Sequence, residues 1–170
     1  MANIEYPKAR KQYECSKCKS TINIGDKYVK GTPFRMKPII RCSKCGLRSW
    51  ELSSSDYVQR VGRVCDCWKE DYGISEDTAQ NIADELSSIK DDVECNFDNM
   101  PENFQYGETG EMLQERMDNL DQAVSDLECI DYESITEDAK NNVEDDEELN
   151  SEIDSLLSDA IEEAISCLEY

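Results

Sequence analysis

Through the second half of the chain, apolar residues recur every three or four positions, the spacing that gathers side chains on one face of an α-helix. Ala79, Ile82, Ala83, Leu86, Ile89 and Val93 trace the first face and predict a helix over about 75–94. Ser75 is its expected cap, with Glu76 and Asp77 in the first turn, where the helix dipole favours anions. Asn99-Met100-Pro101 closes that segment, and residues 106–110 read as a loop in which Thr109 can cap the next helix. Leu113, Met117, Leu120, Val124 and Leu127, alternating by four and three, predict a second helix over about 110–130. A third, over about 149–169, is led by Leu149, Ile153, Leu156, Ala160, Ala164 and Leu168, with Leu157, Ile161 and Ile165 widening the stripe. Residues 137–148 hold only Ala139 and Val143 as apolar positions and read as a short solvated helix or linker. Three amphipathic helices predict an antiparallel bundle or a helical hairpin with a protruding arm.

The first part of the chain is patterned differently. Residues 27–30 and 38–41 read as strands flanking the segment 31–37, with residues 22–26 as the entry turn, which predicts a β-hairpin. A helix is expected after Cys45, capped by Ser53, Ser54 or Ser55 and carrying Tyr57, Val61, Val64 and Trp68 on one face; Gly62 weakens it. The fold class is therefore α+β, a small N-terminal β-hairpin module over residues 1–69 followed by a mainly α-helical bundle or helical hairpin over residues 70–170.

Charge falls along the same division. Residues 1–69 hold fifteen Lys/Arg against six Asp/Glu, and residues 70–170 hold three against thirty-three, so the net charge of −21 joins two electrostatically opposite halves. Uniform adaptation to a salt-rich cytoplasm would have acidified both. The helical half therefore points to a basic protein partner, bound through carboxylates such as Glu137, Asp138, Glu144, Asp145, Asp146, Glu147, Glu148, Asp154, Glu162 and Glu163. Carboxylates on rigid helices can also reproduce the charge density of a duplex and act as a nucleic-acid mimic.

Four of the nine cysteines are spaced for a metal. Cys15-Ser-Lys-Cys18 and Cys42-Ser-Lys-Cys45-Gly46 lie 23 residues apart, and each turn points two sulfurs at one ion. Cys15, Cys18, Cys42 and Cys45 are thus expected to hold a structural Zn2+ in a closed tetrahedron, in a zinc ribbon or treble clef, with the ion supplying much of the module's folding energy. A thioredoxin-like redox pair leaves the second pair unexplained. Cys65 and Cys67 point in different directions on a helix and read as ordinary helix residues, and Cys95, Cys129 and Cys167 as packing residues. Around the knuckles, Lys17, Lys19, Lys30, Arg35, Lys37, Arg41, Lys44 and Arg48 are interleaved with Tyr13, Tyr28, Phe34 and Trp50, a composition suited to phosphate contact and base stacking. The same positive charge can instead dock on the acidic half of its own chain or of a second copy, so a homo-oligomer is also compatible.

No histidine occurs, which removes Ser-His and Cys-His catalysis and histidine-ligated metal sites. With no phosphate loop and no open metal site, the expectation is not an enzyme. The absence of a long apolar run or an apolar leader predicts a soluble intracellular protein that does not engage a membrane. Tyr13-x-Cys15-x-x-Cys18, the run from Ile22 through Tyr28, Leu52-Ser53-Ser54-Ser55-Asp56-Tyr57, Asp98-Asn99-Met100-Pro101-Glu102 and Thr109-Gly110-Glu111-Met112-Leu113-Gln114-Glu115-Arg116 together resemble uncharacterised zinc-knuckle proteins of tailed bacteriophages. That resemblance implies a phage origin and a host bacterial cytoplasm, and brings no activity with it. The expected function is a zinc-stabilised accessory protein whose acidic helices bind, and inhibit or redirect, a basic nucleic-acid-handling protein, as an anti-defence or host-takeover factor. The alternative is a DNA- or RNA-binding zinc ribbon whose acidic half autoinhibits or recruits a partner.

Overall fold

The computed structural model describes residues 3–33, 36–143 and 145–170. Five strands come first: β1 (Asn3–Glu5), β2 (Tyr13–Glu14), β3 (Thr21–Ile22), β4 (Tyr28–Thr32) and β5 (Ile39–Cys42). A 3-10 turn at Trp50–Leu52 leads into α1 (Asp56–Tyr72), α2 (Thr78–Asp98), α3 (Glu102–Gln105), α4 (Glu108–Glu128), α5 (Tyr132–Asn142) and α6 (Asp146–Ala164). The protein is α+β: small antiparallel strands around a four-cysteine cluster, then a mainly helical region. It divides into two compact units, Met1–Gly62 and Arg63–Tyr170, with the division inside α1.

In the first unit, the hairpin expected around residues 27–41 is β4 paired with β5, Tyr28 opposite Cys42 and Gly31 opposite Ile39. β1 adds a third strand on the other edge of β4, placing Lys30 opposite Glu5, and their side chains pair at 3.3 Å. The strand pleat sends successive residues to opposite faces. Tyr28 accordingly packs with Ala9, Cys15 and Ile22, against which Ile40, Cys42 and Cys45 rest, whereas Val29 packs with Leu47 and Leu52. Gly31 lies on the Val29 face, where a Cβ would overlap the side chains of Leu47 and Leu52. Ile22 lies in β3, paired with β2, and not in a turn as expected. The turn is residues 23–26, closed by Asn23 N donating to Asp26 Oδ2 at 2.9 Å.

The helix after the second knuckle is α1, with Val58 N donating to Ser55 Oγ at 3.4 Å, and Tyr57, Val61, Val64 and Trp68 are all buried. Gly62 fits rather than weakens it, because any larger residue would collide with Trp50.

In the second unit, α2 and α4 pack along their length, and α6 packs on both α4 and α5. The buried face of α2 is the predicted one, Ala79, Ile82, Ala83, Leu86, Ile89 and Val93. Its start is not. Ser75 N donates to Thr78 Oγ1 at 2.8 Å, and that hydroxyl donates to Gly73 O at 3.4 Å, so residues 73–78 form a turn with Glu76 and Asp77 ahead of the helix. Thr78 is fully buried, and this placement overrides the capping preference of Ser75. Gly107, not Thr109, precedes α4, because α3 brings the backbone of Gln105 against Gly110.

Of residues 137–148, read as a solvated helix or linker, 137–142 close α5, which already begins at Tyr132, and 146–148 open α6. Asp131 caps α5 by accepting from Glu133 N at 3.0 Å, and Ala139 is fully buried, which a linker residue would not be. Along α6, Leu157 and Ile161 are the deepest residues, whereas Leu149, Leu156 and Ala160 are half-buried, so the packed centre lies on the edge of the predicted stripe.

One backbone feature repeats. Lys19 and Gly46, each following the second cysteine of a Cys-Ser-Lys-Cys turn, have φ of 60° and 59°, the left-handed region that penalises a side chain. Lys19→Gly is expected to stabilise the first unit by up to about 1 kcal/mol, the left-handed penalty of about 1–2 kcal/mol less the chain entropy glycine adds to the unfolded state. Gly46→Ala is expected to destabilise it by about 1 kcal/mol. Urea midpoints of the two variants moving in the same direction would contradict this.

Candidate metal centre

Two copies of one short sequence build the site. The first turn, residues 15–18, leaves β2, and the second, residues 42–45, leaves the end of β5. Cys15 N donates to Ser20 O at 2.9 Å and Lys19 N to Cys15 O at 3.0 Å; in the second turn Cys45 N and Gly46 N both donate to Cys42 O, at 3.1 and 3.3 Å. Ser16 N donates to Ile40 O at 2.9 Å, which ties the first knuckle to the strand that delivers the second.

The four cysteine sulfurs lie within 4.8 Å of one another. Cys18 Sγ and Cys42 Sγ are 3.8 Å apart, too far for a disulfide of about 2.0 Å. A tetrahedral ion with metal–sulfur bonds of about 2.3 Å separates its ligands by about 3.8 Å, so this spacing fits a metal site. Four sulfurs complete the tetrahedron, leaving no position for water or substrate on the ion.

The surroundings favour thiolates unevenly. Burial raises the Cys15 thiol, but the amides of Cys18, Cys42 and Lys17 outweigh it and bring the pKa down to about 6. Cys42 N lies 3.4 Å from Cys15 Sγ. The Cys42 thiol is lowered first by the amide of Cys45 and then by its side chain. Cys45 is pushed up to about 12, first by the sulfur of Cys18 and then by that of Cys42, with which it shares the cluster. A central cation removes that penalty.

Among the described residues these four cysteines are the one group placed to hold a metal. Cys65 is half-buried, and burial pushes its thiol up to about 12, which keeps it protonated. A groove of about 580 Å³ opens beside the cluster, lined by Cys18, Ser20, Lys27, Cys42, Lys44 and Cys45 among others.

The basic residues singled out from the sequence have unequal environments. Lys17, Lys19, Lys37 and Lys44 are exposed. Lys30 is paired with Glu5, and Arg41 meets Glu51 at 2.7 Å with both side chains 16% exposed. Glu51 also accepts from Arg48 N at 2.8 Å, so Arg41 and Glu51 form a brace beside the knuckle, a pairing that residue spacing does not reveal. Arg35 lies outside the described residues. Glu137, Asp138, Glu148, Asp154 and Glu163 on the helices, and Asp145 just ahead of α6, are exposed; Glu162 is engaged with Lys69 at 2.7 Å. Glu144 lies outside the described residues; Asp146 and Glu147 begin α6.

Metal-free protein titrated with Co2+ is expected to develop thiolate-to-cobalt charge-transfer absorption, and Cys45→Ser to lose most of it. Binding requires deprotonated sulfurs, so the band is present at neutral and alkaline pH and disappears as pH falls. Absorption that survives Cys45→Ser unchanged would remove Cys45 from the ligand set.

Compared with known proteins, the chain matches no family model, no curated protein and no solved structure.

Proposed function

We propose that this is a non-enzymatic protein in which Zn2+ on Cys15, Cys18, Cys42 and Cys45 holds the first unit, while the acidic helical unit binds a basic nucleic-acid-handling protein. An all-thiolate tetrahedral donor set suits Zn2+, and a closed site without histidine suits a structural ion. The observation that carries the binding reading is the uncompensated charge on the helices. Residues 63–170 hold thirty-four Asp/Glu against five Lys/Arg. Three of those cations are already committed: Arg63 to Asp71, Lys69 to Glu162 and Lys90 to Asp121. Glu137, Asp138, Glu148, Asp154 and Glu163 are exposed on ordered helices, the arrangement that competes with nucleic acid for a basic surface. The resemblance to phage proteins makes a host or phage enzyme of nucleic-acid metabolism the natural target, to be inhibited or redirected.

Full-length protein immobilised at low salt is expected to capture nucleic-acid-binding proteins from a bacterial lysate, with duplex DNA and added salt both displacing them. Neutralising Asp138, Asp154 and Glu163 to their amides weakens the capture. Recovery of no such protein at low salt counts against the reading.

The exposed lysines on the two knuckles, beside the groove, favour a second reading, contact of the first unit with nucleic acid. Fluorescence anisotropy with a labelled single-stranded oligonucleotide then shows binding that weakens as salt rises, and Lys17→Glu with Lys44→Glu reduces it about tenfold or more. No binding by the full chain at low salt ends this reading.

A further inference from the structure

The corner joining α2 to α4 keeps large apolar side chains in water. Phe104 is 55% exposed, Tyr106 86% and Met112 40%, although α3 itself packs on α4. They stand apart from the buried stripe of α4, Leu113, Leu120 and Leu127. The corner is fixed by its own hydrogen bonds. Gln105 Nε2 donates to Phe97 O and to Met100 O, each at 3.1 Å, and Phe104 N donates to Pro101 O at 2.8 Å. Gly110 seats so closely on the Gln105 backbone that a Cβ has no room. Apolar groups displayed on ordered backbone associate with little further ordering cost.

Charge selects the occupant. Between Lys90 and Arg116 the chain has eight Asp/Glu and no Lys/Arg. Asp98, Glu102, Glu108 and Glu111, around the corner, are exposed, and none is in an ion pair among the described residues. A second copy would set these carboxylates against themselves, and an anionic lipid surface would be repelled. An arginine-rich amphipathic segment satisfies both features. Its guanidinium groups pair with carboxylates and stack over Tyr106, while its aliphatic side covers Phe104 and Met112. We propose that this corner is the apolar anchor at which such a segment of a protein partner docks, an inference that rests on the reading of the acidic unit as a binder of basic proteins.

The test uses the full chain and two fluorescent synthetic peptides of equal charge, one with arginine and leucine in helical register and one with every leucine replaced by serine. The wild type is expected to bind the arginine–leucine peptide about tenfold more tightly than its control, the scale of a buried aromatic contact. Phe104→Ser with Tyr106→Ser should abolish that preference with an unchanged circular dichroism spectrum. Glu102→Gln with Glu108→Gln should weaken both peptides together. Equal wild-type affinity for the two peptides, or a preference retained in the Phe104/Tyr106 variant, overturns the corner while leaving the acidic-surface reading standing. If neither peptide binds at low salt, both fall. A dimer in sedimentation that disappears in the Phe104/Tyr106 variant overturns the proposal in favour of a second copy of the chain.

Discussion

The convergence of four sulfurs is the constraint on which the first unit depends. Its strands are two to five residues long, and its buried apolar residues fall into two small groups, Ala9, Cys15, Ile22 and Tyr28 on one face of β4, and Val29, Leu47 and Leu52 on the other. A core of that size is too small to hold a chain by burial alone. What joins the distant segments is the meeting of the knuckle after β2 with the knuckle at the end of β5. Yet four thiols confined within 4.8 Å resist joint ionisation, as the upward displacement of Cys45 by its neighbouring sulfurs shows. A cation bound there would turn this repulsion into attraction, so that folding of the first unit and metal binding would become one equilibrium.

How much of this was legible in the sequence follows from how local each rule is. The cysteine turns were legible because a Cys-x-x-Cys pair carries its geometry within four residues. The β4–β5 hairpin and the faces of α2 and α4 were legible because period is a property of one element. Strands of two or three residues, such as β2, β3 and β1, are too short to display a period and exist through their partners. The helix starts were misplaced for a related reason: Ser75 is a good cap in isolation, but the burial of Thr78 decides where α2 begins. Ala139 gave no sign of belonging to a packed helix, because a single small residue acquires meaning only from the α6 surface against it. The Arg41–Glu51 brace was invisible because the strand and the turn that carry them meet only in the fold.

The helical unit holds together despite its charge, and the way it does so separates stability from display. Its largest fully buried side chains are Ile82, Leu86, Ile89, Leu120, Leu127, Leu157 and Ile161, with Thr78 the polar exception, and burying each aliphatic one contributes about 1.5–3 kcal/mol before entropy is counted. The few cations are not spread over the surface to neutralise it. Lys90 reaches from α2 to Asp121 on α4, and Lys69 from α1 to Glu162 on α6, so each links two helices. Exposed pairs of this kind contribute about 0–1 kcal/mol, which cannot offset the repulsion of a unit carrying so many more acids than bases. Packing therefore bears the load. In the proposed reading, a surface charge that opposes the fold it sits on acts outside the fold, and the exposed aromatic side chains of the α2–α4 corner act there with it.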